Sequence, residues 1–233
     1  MPQVNFKNEI ERRQYTRDLT QANIDPIAGF VEGYAIVFEK MTPIGDLFYE
    51  IIDRHALDEA DLSDIKFFIN HNDMMLPLAR HRRGKRSTMD ISIDDHGLKI
   101  NSNLDIENNA DSKKLCSAII RGDVEDMSFA FGITVEGESW ENMSDTMPIR
   151  RITKIGKVFE VSAVNDGAYP QTSISARSAS LENEKSALEN ARAKALENEK
   201  RAETEKRQAA LLLEKKKFLF LEELKYDTRR INR

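Results

Sequence analysis

From Ser178 to Asn232 the chain contains neither glycine nor proline, and Ala, Leu, Glu, Lys and Arg dominate it. These residues cost least in a helix and no breaker interrupts them, so the stretch predicts one long helix. The chain ahead of it reads differently. From Phe30 to about Ile174, short apolar runs are broken by Gly, Pro, Asn and Asp. The sharpest boundary therefore falls near Ser175–Ser180. The expected organisation is a polar, partly ordered segment over residues 1–25, a folded domain over 26–177, and a charged helical tail over 178–233.

Within the tail, Leu-Glu-Asn recurs at Leu181, Leu188 and Leu196, spacings of seven and then eight residues that keep the leucines roughly on one face. Alanines carry that face between Ala202 and Ala210, before Leu211-Leu212-Leu213 and the apolar group from Phe218 to Leu224. So thin a stripe supports a weak coiled coil at most. A solvated single helix fits the pattern as well as an arm that docks among similar arms through Leu211–Leu224.

The first region reads as strands. Phe30–Phe38, Phe48–Ile52, Ile65–Ile69, Thr88–Ile93, Leu98–Leu104, Met127–Val135 and Lys154–Val164 are the candidates. Met41-Thr42-Pro43-Ile44-Gly45 reads as a turn, and Asp94-Asp95-His96-Gly97 as a hairpin turn. Helices are expected at Asp58–Ser63 and at Lys113–Arg121, the second ended by Gly122. The fold class that follows is α+β.

Composition excludes several roles. A formal net charge of −5 offers no basic excess for gripping nucleic acid. A single cysteine, Cys116, allows no intramolecular disulfide and suits a reducing compartment. The charged stretch MPQVNFKNEIERRQYTRDL lacks the apolar centre of a signal peptide. With no apolar run of about 18 residues, no membrane partner is expected and the working compartment is a cytoplasm.

Two strands have faces that differ. Period-two alternation puts Phe129, Phe131, Ile133 and Val135 on one side of Met127–Val135, and Ser128, Ala130 and Gly132 on the other. The small side predicts a shallow floor for a substrate chain, with Ser128 exposed at its head. An ordinary edge strand with a polar outer face fits the same pattern. In Ile155–Val164, Phe159, Val161 and Ala163 would face the core, leaving Val158, Glu160, Ser162 and Val164 opposite. His71 follows the apolar run Ile65–Ile69, where a histidine is well placed as a general base. A structural histidine bonded to a turn is the plainer alternative. A metal set of His71, Asp73 and His81 matches no common ligand spacing, and Cys116 on an apolar helix face reads as a packing residue.

Ordered motifs narrow the choice. Gly33-Tyr34-Ala35-Ile36-Val37-Phe38, Phe68-Ile69-Asn70-His71-Asn72, Leu78-Ala79-Arg80 and Asp94-Asp95-His96-Gly97-Leu98 come first. Ile120-Arg121-Gly122-Asp123-Val124, Met127-Ser128-Phe129-Ala130-Phe131, Phe159-Glu160-Val161-Ser162-Ala163-Val164 and Ala168-Tyr169-Pro170-Gln171-Thr172 follow. In this order and spacing, from about Phe30 to Arg177, the chain resembles the caudovirus prohead serine proteases, relatives in fold of the herpesvirus capsid-maturation proteases. The resemblance implies a mostly antiparallel β-barrel surrounded by helices, followed by the helical tail. It implies Ser128 as nucleophile and His71 as base, with Glu160 as third member and Asp166 as its competitor. No cofactor and no metal are implied. The implied substrates are the scaffold protein or the scaffold-like arm of the capsid protein, and the chain itself, cut inside the procapsid in the host cytoplasm. The implied assembly is a homodimer. A silent assembly protein that keeps the protease fold is the alternative.

Overall fold

The computed structural model describes residues 10–15, 29–165 and 174–231. Among them, in chain order, run β1 (Glu11–Tyr15), β2 (Phe30–Val37), β3 (Thr42–Ile44), β4 (Phe48–Ile52), β5 (Asp64–Ile69), β6 (Ala79–Arg82), β7 (Met89–Ile93) and β8 (Gly97–Asn103). Then come α1 (Ala110–Ile120), β9 (Asp126–Ile133), β10 (Glu138–Glu141), β11 (Ile149–Ile152), β12 (Ile155–Val164) and α2 (Ile174–Ile231). The chain divides into two compact units, residues 1–180 and 181–233.

The first unit is α+β, with its strands in three sheets ordered β1-β9-β12-β5-β6, β10-β11-β4-β3 and β2-β8-β7. Phe67, Phe129, Phe131, Val158 and Val161 sit in one fully buried core with Ile36, Leu98 and Ile100. Each such side chain stabilises the fold by about 1.5–3 kcal/mol. The closed, mostly antiparallel barrel surrounded by helices does not form among the described residues. A closed barrel needs an unbroken ring of ladders. Here the seams between sheets hold single bonds, such as Thr88 N–H to the Arg80 carbonyl (3.0 Å) and Glu39 N–H to the Ile52 carbonyl (2.9 Å). Two neighbouring pairs, β12/β5 and β11/β4, are parallel, and α1 is the one helix described wholly within this unit.

Several local expectations change. The charged stretch Glu11–Tyr15 forms β1, an edge strand antiparallel to β9. Thr42–Ile44 is a strand rather than a turn, with Pro43 on the sheet's edge where no ladder donor is missed. Asp58–Ser63 makes turns instead of a helix, because Asp61 is drawn to β12. Its N–H donates to the Gly156 carbonyl (2.9 Å), its carbonyl accepts from Val158 (3.3 Å), and its carboxylate meets Lys157 Nζ (2.6 Å). The helix expected from Lys113 starts at Ala110, since Asn109 Oδ1 caps it by accepting from the N–H groups of Asp111 (2.9 Å) and Ser112 (3.3 Å).

Two glycines are required by geometry. Gly122 (φ 74°) closes α1, where Asp123 N–H reaches back to the Ala118 carbonyl at 2.8 Å. Gly97 opens β8 so close to β2 that a Cβ would lie 1.8 Å from the Ile36 carbonyl oxygen.

The described part of α2 is a single helix of 58 residues, about 87 Å long at 1.5 Å per residue. Pairs four residues apart, Arg201–Glu205 (3.1 Å) and Arg207–Glu203 (2.7 Å), brace it. Leu196, Leu211, Leu212 and Leu213 are each more than half exposed. Ser175–Ser180, where composition places the boundary, lies in its first turns. Among the described residues no helix is long and apolar enough to cross a membrane.

Candidate active site

Three neighbouring strands of the five-stranded sheet place the site. β12 lies between β9, which is antiparallel to it, and β5, which is parallel. Ser128 on β9 pairs directly with Ser162 on β12, and Ala130 with Glu160, so these four residues share one face. The β5 chain runs alongside and leaves the ladder at Asn70, whose N–H donates to the Ala163 carbonyl at 3.0 Å. Asn70 (φ 51°) and His71 (φ 54°) then both take the left-handed backbone conformation, a rare pairing outside glycine that turns the imidazole back over β12 and β9.

The sequence-predicted residues come together there. Ser128 Oγ lies 2.6 Å from His71 Nε2, and His71 Nδ1 lies 2.5 Å from Glu160 Oε1. This is the order in which a serine proton passes to an imidazole held by a carboxylate. Asp166, the competitor for the third position, lies outside the described residues.

Ser162 completes the arrangement and was not read from the sequence as part of it. Its hydroxyl donates to Glu160 Oε2 (2.7 Å) and accepts from the backbone N–H of His71 (3.1 Å). One hydroxyl thus fixes the carboxylate and the strained backbone of the histidine together. The available signal was its period-two spacing from Glu160.

Glu160 and Ser162 of β12 lie on the face that alternation predicts, and the pattern breaks ahead of them. A bulge between Val158 and Glu160 turns Val158 into the core and leaves Phe159 half-buried, its ring 5.8 Å from Lys157 Nζ. The open floor on β9 is also absent. All eight residues of β9 are buried, because β1 covers one edge and β12 the other. Ser128, expected to be exposed, is 1% exposed. Its Oγ also meets the backbone carbonyl of Arg13 on β1, at 2.7 Å.

On the opposite face of β9 is an ion cluster without counterpart in the sequence reading. Arg13 donates through Nε to Glu50 Oε1 (2.6 Å) and through Nη2 to Glu50 Oε2 (3.0 Å). Arg150 reaches Glu50 (3.1 Å), Glu11 (2.7 Å) and Glu138 (2.6 Å). The guanidinium carbon of Arg13 lies 5.8 Å from the centre of the Phe131 ring.

The remaining candidates go elsewhere. Arg80 forks onto Asp64 (Nε 2.6 Å, Nη2 2.5 Å), a pairing between β6 and β5 that holds the carboxyl below its ordinary range. His81 Nδ1 faces the Met89 carbonyl (3.3 Å). Cys116 is buried in the core, and that burial pushes its thiol up, away from the reactive thiolate.

No curated protein matches the chain. Among solved structures it is similar to the bacteriophage T4 capsid assembly protease, gp21, at 13% identity and a TM-score of 0.38, over 67% of this chain and 99% of that one. That likeness is loose, and the assignment rests on sequence. The family model of the caudovirus prohead serine proteases matches residues 16–187, a span that holds His71, Ser128 and Glu160, and the chain belongs to that family.

Proposed function

We propose that this protein is the serine endopeptidase of procapsid maturation, with Ser128 as nucleophile, His71 as general base and Glu160 as the carboxylate that orients His71. The observation that carries the assignment is the continuous chain of contacts from Ser128 Oγ through both nitrogens of His71 to Glu160 Oε1, at 2.6 and 2.5 Å. In this reading Ser128 Oγ attacks the carbonyl carbon of a peptide bond while Nε2 takes its proton. Glu160 steadies the resulting imidazolium, and the proton then passes to the leaving amine. A water molecule, activated by the same nitrogen, releases the acyl group from Ser128. Ser162 holds Glu160 and the His71 backbone in register for both steps.

The substrates in this reading are the scaffold protein, or a scaffold-like arm of the capsid protein, inside the procapsid. Family membership and the assembled triad support it. The chain itself is a further substrate, with α2 as an arm among the scaffold arms. A cut at residues 175–180 requires the first turns of α2 to unwind, because a protease reads an extended strand.

Co-expression with the cognate capsid and scaffold proteins, followed by intact-mass analysis, tests the proposal. Wild type is expected to shorten its partners, and Ser128→Ala to leave them whole. Cleavage that persists in Ser128→Ala removes Ser128 from the role. Absence of cleavage in both, inside assembled shells, favours the silent assembly protein instead.

A further inference from the structure

A nucleophile that is 1% exposed meets no external peptide until something leaves. What covers Ser128 along the free edge of its strand is β1, paired antiparallel to β9 with Gln14 opposite Ser128 and Arg13 opposite Phe129. An edge strand is laddered on one side only, and removing β1 exposes a row of β9 ladder groups that any extended peptide can satisfy. The cost is the ion pairs that Arg13 and Glu11 make with Glu50 and Arg150.

The position of β1 is also chemically specific. The Arg13 carbonyl oxygen lies 2.7 Å from Ser128 Oγ, and His71 Nε2 lies 2.6 Å from the same atom. A hydroxyl has one hydrogen, so the carbonyl and the imidazole compete for it, and β1 as it stands is an unproductive occupant. The residue whose carbonyl meets the nucleophile sends its own side chain to the other face of β9. There its guanidinium forks onto both oxygens of Glu50, at 2.6 and 3.0 Å, on a carboxylate that is 1% exposed. Fork-on-carboxylate geometry suits arginine better than lysine.

We propose that the β9 edge now held by β1 is where a substrate lies as an added antiparallel strand, and that the Glu50 pocket filled by Arg13 receives a basic side chain, arginine first, on the acyl side of the bond cut. This rests on the reading of Ser128 as the nucleophile. An arginine in that position replaces the fork that β1 gives up. A neutral or acidic residue leaves the buried Glu50 with Arg150 (3.1 Å) but without the fork, and this discriminates by roughly a hundredfold.

The cut-site profile of a denatured bacterial proteome tests it, using the full-length chain as wild type and as Arg13→Ala, each with and without Ser128→Ala. Arg13→Ala loosens β1 and empties the pocket, so its Ser128-dependent cleavage is expected to exceed that of wild type. In both backgrounds arginine, then lysine, is expected to dominate the residue before the cut. Ser128-dependent cuts with no basic preference overturn the pocket while leaving the nucleophile in place. Equal rates for wild type and Arg13→Ala overturn β1 as the occupant of the substrate's edge. No Ser128-dependent cut in either background removes the nucleophile, and the pocket assignment with it.

Discussion

β9 carries a different polar assembly on each face. On one side, Ser128, His71, Glu160 and Ser162 form a chain of hydrogen bonds in which the imidazole keeps some contact with solvent, its side chain 20% exposed. On the other, Arg13, Glu50 and Arg150 are 6% exposed or less and joined by ion pairs. The first assembly is built from groups able to exchange protons, and its members come from β9, β12 and the turn that follows β5. The second is built from fixed charges, and it ties β1 to β4 and β11. The lesson is a division of labour across one strand. Proton traffic needs a site whose members can change charge, whereas a clamp needs charges that never do. Burying such charges is costly unless every one is paired, so the clamp is strong only when complete.

The largest effect expected is on the proton-exchanging face. Glu160→Gln keeps the shape of the side chain and removes the charge that selects the His71 tautomer. Its kcat/KM is expected to fall about 10⁴-fold, with little change in the thermal unfolding midpoint. A loss below tenfold, measured on the same purified substrate, transfers the third role to Asp166. Glu50→Gln should invert that signature. It removes the charge that Arg13 and Arg150 share and leaves them Glu11 and Glu138, and urea unfolding is expected to register a loss of about 3–5 kcal/mol. A loss under about 1 kcal/mol makes the cluster dispensable and the contrast between the faces unfounded.

The smallest effect concerns a pair on neither face. The Asp61 carboxyl is pulled down to about 2, first by the hydrogen bond from Lys157 and next by that from Ser63. A carboxyl with a lowered native pKa stabilises the fold fully above its unfolded value of 3.8, and that contribution is lost as pH falls through about 2. Its side chain is 41% exposed, so solvent screening keeps the contribution under about 1 kcal/mol. The stability difference between wild type and Asp61→Asn is expected at pH 6, should shrink as pH falls below 3.8, and should close below pH 2. A difference as large below pH 2 as at pH 6 assigns it to something other than this ionisation.

The positions of Ser128, His71 and Glu160 were legible because apolar alternation and ordered motifs mark the strands that carry them. The long helix was legible from composition alone. β1 was not, because Glu11-Arg12-Arg13-Gln14-Tyr15 shows no apolar alternation. Its inner face is buried through ion pairs with Glu50 and Arg150, residues far along the chain. The inversion of Val158 and Phe159 was hidden for another reason. A bulge adds one residue to the period, and nothing in the letters announces it. Ser162 lay on the expected face, but its part depends on the turn at Asn70 and His71, which only the folded backbone reveals.

That turn has a thermal consequence. The left-handed backbone of His71 stores about 1–2 kcal/mol, and that of Asn70 less, because asparagine enters this region readily. Both residues are held by the Ala163 carbonyl, the Ser162 hydroxyl, and the Asn165 N–H that donates to Asn70 Oδ1 (3.1 Å). All three anchors belong to residues 162–165, at the outgoing end of β12. Ser162 and Ala163 are fully buried and paired on both sides, so the exposed Asn165 is the anchor that warming releases first. Its loss is expected to loosen the turn that holds the imidazole. Activity is therefore expected to fade on warming ahead of the fold, and an assay run beside a thermal unfolding curve should show a loss that cooling restores.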